Sequence, residues 1–452
     1  MDFKGKRVLV VGLGKSGISA ALYLRKLGAR VTVSDARPSE SLAREIPALL
    51  EAGVMVESGG HGVLTFRRQD LVVLSPGVPL STPEVQQSIR YGVPVVGEVE
   101  LASLALKGKI IAITGSNGKT TTTSLVGHIL KRAGLATQVG GNIGLPVVEM
   151  VEVSTDTTWN VLEISSFQLE TIESFRPHIA AVLNITPDHL DRHGSFENYA
   201  VAKALITENQ TAEDFLVLNA EDKPAQMVAA KTKAKIYWFS GLRRIKQGAF
   251  VHGDGIYFLG KEHGKPEAVM SVAEIPLRGA HNIENVLAAI VMAKLAGVST
   301  ADVHQAITSF VAVDHRLQFV AQKRGVDYYN DSKATNVDAT IKALESFPAG
   351  VRLILGGKDK GSDYTQLLPL LKVRTVAIYT IGAAAGIIAK QIGDEVDLTP
   401  AGTLENALSM AASAAKPGET VLLAPACASF DQFTSYEHRG HVFKDLVRAL
   451  SE

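Results

Sequence analysis

The sequence predicts an α/β protein of three domains, of which the first and the last are Rossmann-like. Short apolar runs rich in valine and isoleucine alternate with helix-like segments, which is typical of parallel sheets covered by helices. This alternation restarts twice along the chain, so three separate series are present. A length of 452 residues is also too great for a single hydrophobic core. We therefore expect domains over residues 1–97, 98–312 and 313–452.

The bulk composition is that of an ordinary globular protein and gives no sign of a charged partner. The 46 basic and 46 acidic residues balance, so the net charge does not indicate a nucleic acid or an anionic membrane. The single cysteine, Cys427, excludes an internal disulfide framework and is typical of a reducing compartment. No apolar run approaches the roughly 20 residues that span a bilayer. We expect a cytoplasmic monomer without nucleic-acid or membrane partners.

The individual elements are predicted from apolar runs bounded by glycine and polar residues. The first domain should contain strands at 6–11, 31–34, 71–74 and 93–96 and a helix at 18–27. The central domain should contain strands at 109–114, 161–164 and 180–185, a helix starting near Lys119, a hairpin around Gly253-Asp254-Gly255, and helices at 282–296 and 301–310. The last domain should contain strands at 351–355, 375–380 and 420–423.

The first glycine-rich loop, GLGKSG from Gly12 to Gly17, follows the first predicted strand. It matches the pattern G-x-G-x-x-G, and Asp35 ends the next strand. This arrangement is similar to a dinucleotide-binding turn, in which glycines let the backbone approach a pyrophosphate. A tightly packed turn that binds nothing needs the same glycines, so the loop alone leaves both interpretations open. A nicotinamide cofactor is the less favoured ligand, because hydride chemistry would leave the second loop without a task.

The second glycine-rich loop, ITGSNGKTTTT, joins a predicted strand to a predicted helix. The strict pattern G-x-x-x-x-G-K-[ST] would need a glycine where Ile113 stands. Backbone N–H groups and the helix dipole would nevertheless face an anion, and Lys119 adds a positive charge. The hydroxyl of Thr120 is placed to bind Mg²⁺. A tight turn with a surface lysine is the alternative. We favour a phosphate site, and therefore a central domain of the P-loop ATPase type.

Polar residues follow two further strands of the central domain. Glu163 ends an apolar strand in VLEISSFQLE, where a buried carboxylate needs either a cation such as Mg²⁺ or a salt bridge. The segment NITPDHLDRHG carries two histidines and two aspartates, but their spacing fits no zinc pattern. One histidine at a magnesium site is the better interpretation. Nothing in the residues themselves distinguishes Lys203, in NYAVAKALITEN, from a surface lysine.

The remaining candidates are asparagines and the loops of the last domain. Capping explains Asn282 in HNIEN, whereas Asn285 competes with helical hydrogen bonding and needs another reason. In the last domain, charged and hydroxyl groups follow the strands in four loops. Each loop alone is explained as a solvated turn, but four together favour a ligand-facing rim. The loops are DHR at 314–316, NDSKATN at 330–336, GGKDKG at 356–361 and ACASFDQF at 426–433.

Together these motifs resemble those of the Mur ligase family. The loop TGSNGKTTT is similar to the family's own ATP loop, so the missing glycine is a family feature. GNIG, LEISSFQLE, NITPDHLDRHGS, AK at Lys203, HNIEN, HR at Arg316 and NDSKATN follow in the family's order. Among the members, GLGKSG, DSKATN and ACASFDQF most resemble those that add D-glutamate.

The resemblance implies an ATP-dependent amide ligase of peptidoglycan precursor synthesis. ATP would phosphorylate the carboxylate of UDP-N-acetylmuramoyl-L-alanine, and the amine of D-glutamate would attack the acyl phosphate. Phosphate would then leave from a tetrahedral intermediate. The resemblance also implies two Mg²⁺ ions to neutralise the anions, and a carbamylated Lys203 as one of their ligands.

The resemblance assigns roles to the residues at matching positions. Lys119, His189 and Lys203 would be catalytic, with Lys119 on the transferred phosphate. The remaining sets would bind ATP (Gly115, Asn117, Gly118, Lys119, Thr120, Thr121, Asn285, Arg316, Asp331), the UDP substrate (Gly14, Ser16, Asp35, Arg37, Ser75, Gly77, Asn142), D-glutamate (Thr335, Lys360, Ser429, Tyr436) and metal (Thr120, Glu163, His189, Lys203).

Some features depart from this pattern or leave alternatives open. GGKDKG carries a second lysine, Lys358, so either it or Lys360 could reach the side-chain carboxylate of glutamate.

A folylpolyglutamate synthetase-like enzyme shares the ATP domain but not the first domain, and a different Mur ligase would need another motif in place of DSKATN. A nucleotide sensor without turnover is the alternative from another class. For the ligase, we expect the last domain to close over ATP.

Overall fold

The structure is a computed structural model that describes residues 2–230, 232–261, 264–277, 279–311 and 314–451. Its strands form three separate sheets of five, nine and six strands in chain order. The predicted α/β class with three domains is therefore confirmed. The predicted boundary between residues 312 and 313 lies outside the described residues. Within those residues, no helix combines the length and the apolar character needed to cross a bilayer.

The first sheet is parallel throughout and has the strand order β3-β2-β1-β4-β5. The order reverses beside β1, which opens a crevice at the carboxyl ends of β1 and β4, where such sheets bind ligands. The elements are β1 (Arg7–Val11), α1 (Lys15–Lys26), β2 (Arg30–Asp35), α2 (Ile46–Glu51), β3 (Met55–Ser58), α3 (Val63–Arg67), β4 (Leu71–Leu74), α4 (Pro83–Arg90), β5 (Val95–Gly97) and α5 (Glu98–Ser103).

The central sheet has the order β14-β13-β12-β11-β10-β9-β6-β8-β7. The predicted hairpin around Gly253-Asp254-Gly255 is confirmed as the antiparallel pair of β12 and β13. The elements are β6 (Lys109–Thr114), α6 (Lys119–Arg132), β7 (Thr137–Gly141), α7 (Val147–Met150), β8 (Trp159–Glu163), α8 (Ser166–Leu169), β9 (Ile179–Val182), α9 (Leu190–His193), α10 (Phe196–Ala204), β10 (Phe215–Asn219), α11 (Lys223–Ala229), β11 (Lys235–Ser240), β12 (Gly248–His252), β13 (Gly255–Leu259), β14 (Glu267–Ser271), α12 (Ala280–Leu295) and α13 (Thr300–Thr308).

The last sheet has the order β15-β16-β20-β17-β18-β19, and only its edge pair of β15 and β16 is antiparallel. The elements are β15 (Gln318–Lys323), β16 (Val326–Asn330), α14 (Val337–Glu345), β17 (Val351–Gly356), α15 (Leu368–Arg374), β18 (Thr375–Ile381), α16 (Ala385–Ile392), β19 (Leu398–Gly402), α17 (Leu404–Ala414), β20 (Thr420–Leu423) and α18 (Tyr436–Ala449). Four short 3₁₀ helices complete the described chain, at Ser39–Leu42, Leu205–Thr207, Val272–Glu274 and Tyr364–Leu367.

The central and last domains contact each other across the second glycine-rich loop, residues 113–123, which is called the phosphate loop below. The Lys360 ammonium lies 2.8 Å from the Asp188 carboxylate, and Asn336 Nδ2 donates to the same carboxylate at 3.0 Å. Asn117 Nδ2, in the loop itself, donates to Asp338 at 2.6 Å. Side chains of both domains therefore line one cleft.

Candidate active site

The phosphate loop is shaped by close packing against helix α12. Gly118 has a φ of 84°, and a Cβ at this position would lie 2.2 Å from Asn285 Oδ1, so the turn requires glycine. The hydroxyl of Thr122 donates to Asn285 Oδ1 at 3.2 Å, and Asn285 Nδ2 donates to Asn282 Oδ1 at 3.0 Å. Asn285 therefore has a structural role inside the helix, which is to support the loop. The sequence alone could not show this role.

Two lysines meet beneath this loop. Lys119 Nζ donates to the carbonyl oxygens of Gly115 at 2.8 Å and Ser116 at 2.9 Å, and Lys203 Nζ donates to Gly115 at 2.9 Å. Lys203 is only 1 % exposed. Burial, and then repulsion from Lys119, lower the pKa of Lys203 well below its ordinary value, and burial also lowers the pKa of Lys119. A lysine that the residue pattern alone left as a surface residue is therefore part of the site.

The carboxylate of Glu163 is buried beside the loop, and one of its two oxygens has no hydrogen-bond partner. Asn142 Nδ2 donates to Glu163 Oε1 at 2.7 Å, whereas Glu163 Oε2 is buried without a hydrogen bond. The salt bridge that was the alternative for this residue does not occur among the described side chains. An unpartnered buried carboxylate oxygen is costly, and it fits a hard cation. Thr120, 7 % exposed at the start of α6, is a second oxygen donor of the kind that Mg²⁺ prefers.

His189 has an unusual backbone and an uncharged ring. Its φ of 54° is in the left-handed region, which is uncommon for a residue with a side chain and is typical of functional sites. Burial lowers the pKa of His189 to about 4, although the neighbouring Asp188 opposes this. The ring is therefore neutral near pH 7 and able to bind a metal through nitrogen.

The other histidine of the NITPDHLDRHG segment does not join this site. His193 contacts Ser166 Oγ at 3.0 Å and Glu170 at 3.2 Å. No cluster of three or more His, Cys, Asp or Glu side chains suited to a metal occurs in the part of the chain that the structure describes.

A cavity of about 220 Å³ opens beside the phosphate loop, between the central and last domains. Burial raises the pKa of Asp331 to about 6 even though Arg316 opposes it, and burial lowers the pKa of His281 to about 3. Arg316 Nε is buried without a partner. Five of the expected ATP residues line this cavity, namely Asn117, Gly118, Asn285, Arg316 and Asp331. Four carboxylates that the sequence analysis did not single out line it as well, namely Glu221, Asp222, Glu284 and Asp338. Thr121, another expected ATP residue, is buried with its hydroxyl unpartnered.

A second cavity, of about 670 Å³, lies at the crevice of the first sheet. It is lined by most of the residues expected for the UDP substrate, Gly14, Ser16, Asp35, Ser75 and Gly77, and by His61, which was not singled out. A Cβ at Gly17 would lie 1.9 Å from the Gly12 carbonyl, so packing explains that glycine. A Cβ at Gly14 would meet nothing within 4 Å, so its glycine leaves room in the cavity.

Arg37 and Asn142, the other two residues expected for the UDP substrate, make contacts outside this lining. Arg37 donates to the Asp35 carboxylate at 2.8 Å and to the Leu13 carbonyl at 3.0 Å. Burial alone would raise the pKa of Asp35, but the hydrogen bonds from Arg37 and the Leu13 amide lower it to about 2. Arg37 therefore fixes Asp35 as an anion at the cavity wall, and Asn142 contacts Glu163.

The residues expected for D-glutamate lie on loops at the carboxyl edge of the last sheet. Lys360 points at Asp188 in the cleft, whereas Lys358 is exposed and its backbone pairs with Ala428 at 2.8 Å. Ser429 is 2 % exposed after β20, Tyr436 begins α18, and the Thr335 amide donates to the Lys333 carbonyl at 2.8 Å.

A buried arginine that the sequence analysis did not single out ties these loops together. Arg439 has no exposed surface, and it donates to Ser332 Oγ at 2.9 Å and to the carbonyl of Cys427 at 3.1 Å. Its donors therefore connect the DSKATN and ACASFDQF loops. Burial lowers the pKa of Arg439 to about 10, which still leaves it charged.

Sequence models of one family match the chain in three consecutive stretches. The Mur ligase MurD-like N-terminal domain matches residues 6–97, the Mur ligase middle domain matches 113–293, and the Mur ligase glutamate ligase domain matches 315–427. Together they cover most of the chain and follow the order of the three sheets. The chain therefore belongs to the Mur ligase family, and the resemblance of its motifs is confirmed.

Among its relatives, proteins named UDP-N-acetylmuramoylalanine–D-glutamate ligase are similar over the full length. That of Acidobacterium capsulatum is 62 % identical over 99 % of this chain and 97 % of its own. That of Koribacter versatilis is 58 % identical over 100 % of this chain and 99 % of its own. The fold is similar to the crystal structure of MurF ligase from Thermotoga maritima in complex with ADP, with a TM-score of 0.58, 16 % identity and coverage of 99 % and 97 % of the two chains.

Proposed function

We propose that the protein joins D-glutamate to UDP-N-acetylmuramoyl-L-alanine at the expense of ATP, as an amide ligase of peptidoglycan precursor synthesis. The observation that carries this proposal is the cleft in which a phosphate loop, an unpartnered buried carboxylate and the last-domain loops meet. Support comes from the full-length similarity to relatives that bear the name of this ligase. The protein acts in the cytoplasm as a monomer.

The first chemical step uses the phosphate loop and the cavity beside it. Asn285, Arg316 and Asp331 hold the nucleotide, while the backbone of the loop and Lys119 hold its terminal phosphate. The Lys119 ammonium turns from the carbonyls of Gly115 and Ser116 to the phosphate oxygens. A carboxylate oxygen of the acceptor substrate attacks the terminal phosphorus, and ADP leaves. The result is an acyl phosphate, whose carbon is electrophilic because phosphate is a good leaving group.

The second step forms the amide. The amine nitrogen of D-glutamate attacks the acyl carbon, the carbonyl electron pair moves to oxygen, and the tetrahedral intermediate collapses with loss of phosphate and of an amine proton. Thr335, Lys360, Ser429 and Tyr436 hold D-glutamate. We assign its side-chain carboxylate to Lys360, because Lys360 faces the cleft and Lys358 is exposed. Catalysis rests on positioning and electrostatics.

The same cleft would receive two magnesium ions. Thr120 and Glu163 would hold one of them, and His189 with Lys203 the other. Magnesium bound here would neutralise the phosphate oxygens. Lys203 has a low pKa because of its burial, and the neutral amine is the form that reacts with carbon dioxide. Its nitrogen adds to the carbon and releases a proton, which gives a carbamate anion.

The first domain holds the other end of the acceptor substrate. The wall formed by Gly14, Ser16, Asp35, Ser75 and Gly77 binds the uridine diphosphate group, and Arg37 keeps Asp35 in place. Asn142 contacts the reacting end. Residues 1–97 thus supply the UDP site and 98–312 the phosphate loop of the ATP site, while 313–452 supply the amino-acid site and also Arg316 and Asp331 of the ATP site.

Mass spectrometry of a reaction mixture tests this function. The mixture holds ATP, Mg²⁺, UDP-N-acetylmuramoyl-L-alanine and D-glutamate, and we expect a product heavier by one glutamate residue. K119M should abolish the product, whereas K358M should leave it and K360M should raise the KM for D-glutamate. Tight ADP binding without any product would instead favour the sensor without turnover.

A further inference from the structure

Lys333, in the loop between β16 and α14, is a cation of the cleft that the proposed roles above leave unused. Its backbone is fixed, because its amide donates to the His315 carbonyl at 3.1 Å and its carbonyl accepts from the Thr335 amide at 2.8 Å. Its ammonium lies 3.9 Å from the centre of the Tyr436 ring. The side chain is therefore held in one direction, over an aromatic face.

The Lys333 ammonium has no directly paired anion among the described residues. No hydrogen-bond acceptor or ion-pair partner lies at its nitrogen, and the carboxylates of Glu163 and Glu437 attract it only from a longer distance. An ammonium carries three donors, and leaving them unsatisfied in a partly buried position is costly. Burial lowers the pKa of Lys333 to about 8, against the attraction of Glu163. Such a group is suited to an anion supplied by a ligand.

The surroundings of Lys333 identify which anion this is. Asp331 and Ala334, which flank Lys333 in its loop, line the ATP cavity together with Arg316. The charges that act on Lys333 are those of Glu163, Arg316, Lys119 and Glu437. On its other side, Tyr436 and Thr335 belong to the D-glutamate site. Lys333 therefore stands between the phosphate that leaves and the amine that attacks, which is where the acyl group must lie.

We propose that Lys333 binds the oxygen of the reacting acyl group, an inference that rests on the proposed function. Before phosphoryl transfer the ammonium contacts a carboxylate oxygen of the acceptor substrate. When the amine nitrogen adds to the acyl carbon, the carbonyl electron pair moves to this oxygen, and Lys333 faces the oxyanion. The pair returns as phosphate leaves, and Lys333 forms no covalent bond. A fixed cation at such an oxyanion stabilises the transition state more than the ground state.

Steady-state kinetics of K333M and K333R test the proposal, with K390M as the matched control. Lys390 is an exposed lysine of α16 in the same domain. We expect K333M to lower kcat about 100-fold, as for the loss of an oxyanion donor, with the KM values for ATP and D-glutamate changed less than about threefold. K333R keeps a cation over Tyr436 and should retain more activity than K333M. K390M should behave as wild type.

Each other outcome overturns the inference in a distinct way. A raised KM for D-glutamate with an unchanged kcat would mean that Lys333 binds the amino acid, and unchanged kinetics would mean that it only packs on Tyr436. If circular dichroism shows K333M unfolded, K333Q replaces it as the neutral variant, and a kcat of K333Q equal to that of K333R contradicts the requirement for a cation. If wild type itself forms no product, the proposed function fails and this inference falls with it.

Discussion

Several titratable side chains around the phosphate loop are shifted toward their neutral forms. Burial lowers the pKa of His189 to about 4 and that of Lys203 well below its ordinary value, and it raises the pKa of Asp331 to about 6. Removal from water is the leading cause at each residue, because a charged group loses more hydration than a neutral one. Anions and metal ions that bind here therefore change the protonation of the groups that receive them.

Nucleotide affinity should depend on pH through Asp331. Its folded-state pKa of about 6 lies above the ordinary value of about 3.9, so the carboxyl is neutral below pH 6 and ionised above it. Ribose hydroxyls donate more strongly to the ionised form, so ADP affinity should rise as pH increases through 6. Calorimetric titration of ADP between pH 5 and 7.5 measures this, and D331N should remove the dependence. An equally steep dependence in D331N would exclude Asp331 as its origin.

Glu163 should govern the dependence on magnesium. In E163Q the amide oxygen can still accept from Asn142, but the negative charge is lost, so the Mg²⁺ concentration for half-maximal activity should rise more than about tenfold. Magnesium titrations of product formation measure this. E51Q, which alters an exposed glutamate at the end of α2, is the control. The same magnesium dependence in E163Q and wild type would mean that Glu163 does not hold the ion.

At the scale of elements, helix α6 and helix α12 determine the shape of the phosphate loop. Residues 286–293 of helix α12 are all apolar and fully buried, so the position of the helix is fixed by packing. Asn285 lies one residue before this stretch and supports Gly118. The loop is therefore held by a contact between segments more than 160 positions apart in the chain.

A pair of glycine substitutions at the two ends of α6 should separate loop shape from backbone strain. Both glycines have left-handed φ values, 84° at Gly118 and 78° at Gly134, so alanine strains either by about 1–2 kcal/mol. A Cβ at Gly134 meets nothing within 4 Å, whereas one at Gly118 collides with Asn285. G134A should lower thermal stability but keep ADP affinity. G118A should lower thermal stability and should also lower ADP affinity more than about tenfold. Equal ADP affinities in the two variants would contradict this account.

The sequence predicted the buried central strands well and the edge strands poorly. β4, β6 and β20 lie at their predicted positions because their apolar runs are continuous. β3, with MVES, and β19, with LTPAG, lie at sheet edges and lack such runs; β19 even contains proline, which edge strands tolerate. Both glycine-rich loops were predicted because strand, glycine and helix follow one another locally. The support by Asn285 and the burial of Lys203 depend on distant segments, which no local pattern contains.

At the scale of the whole molecule, the cleft is assembled from side chains of two domains. Lys360 and Asp188 are separated by 172 positions and Asn117 and Asp338 by 221, yet each pair is in contact. The motifs and the family resemblance together indicated which residues belong to one reaction. They could not show that Lys360 faces the cleft while Lys358 is exposed, nor that Arg439 and Lys333 belong to the same region, because these facts depend on how the domains pack.

Asp188 should hold the central and last domains together. D188N loses the ion pair with Lys360 and weakens the hydrogen bond from Asn336, which removes about 1–3 kcal/mol from the contact between the two domains. Small-angle scattering without ligands should therefore give a larger radius of gyration for D188N than for wild type. D394N, at an exposed aspartate of the last domain, is the control. Identical scattering of D188N and wild type would mean that other contacts hold the domains.

The central claim concerns the amino acid that this ligase adds, and phosphate release tests it most directly. The protein is given ATP, Mg²⁺ and UDP-N-acetylmuramoyl-L-alanine, with D-glutamate, L-glutamate, glycine or L-lysine offered separately. Phosphate release that depends on D-glutamate alone is the predicted result. Release with another of these amino acids, or with none of them despite ADP binding, would contradict it.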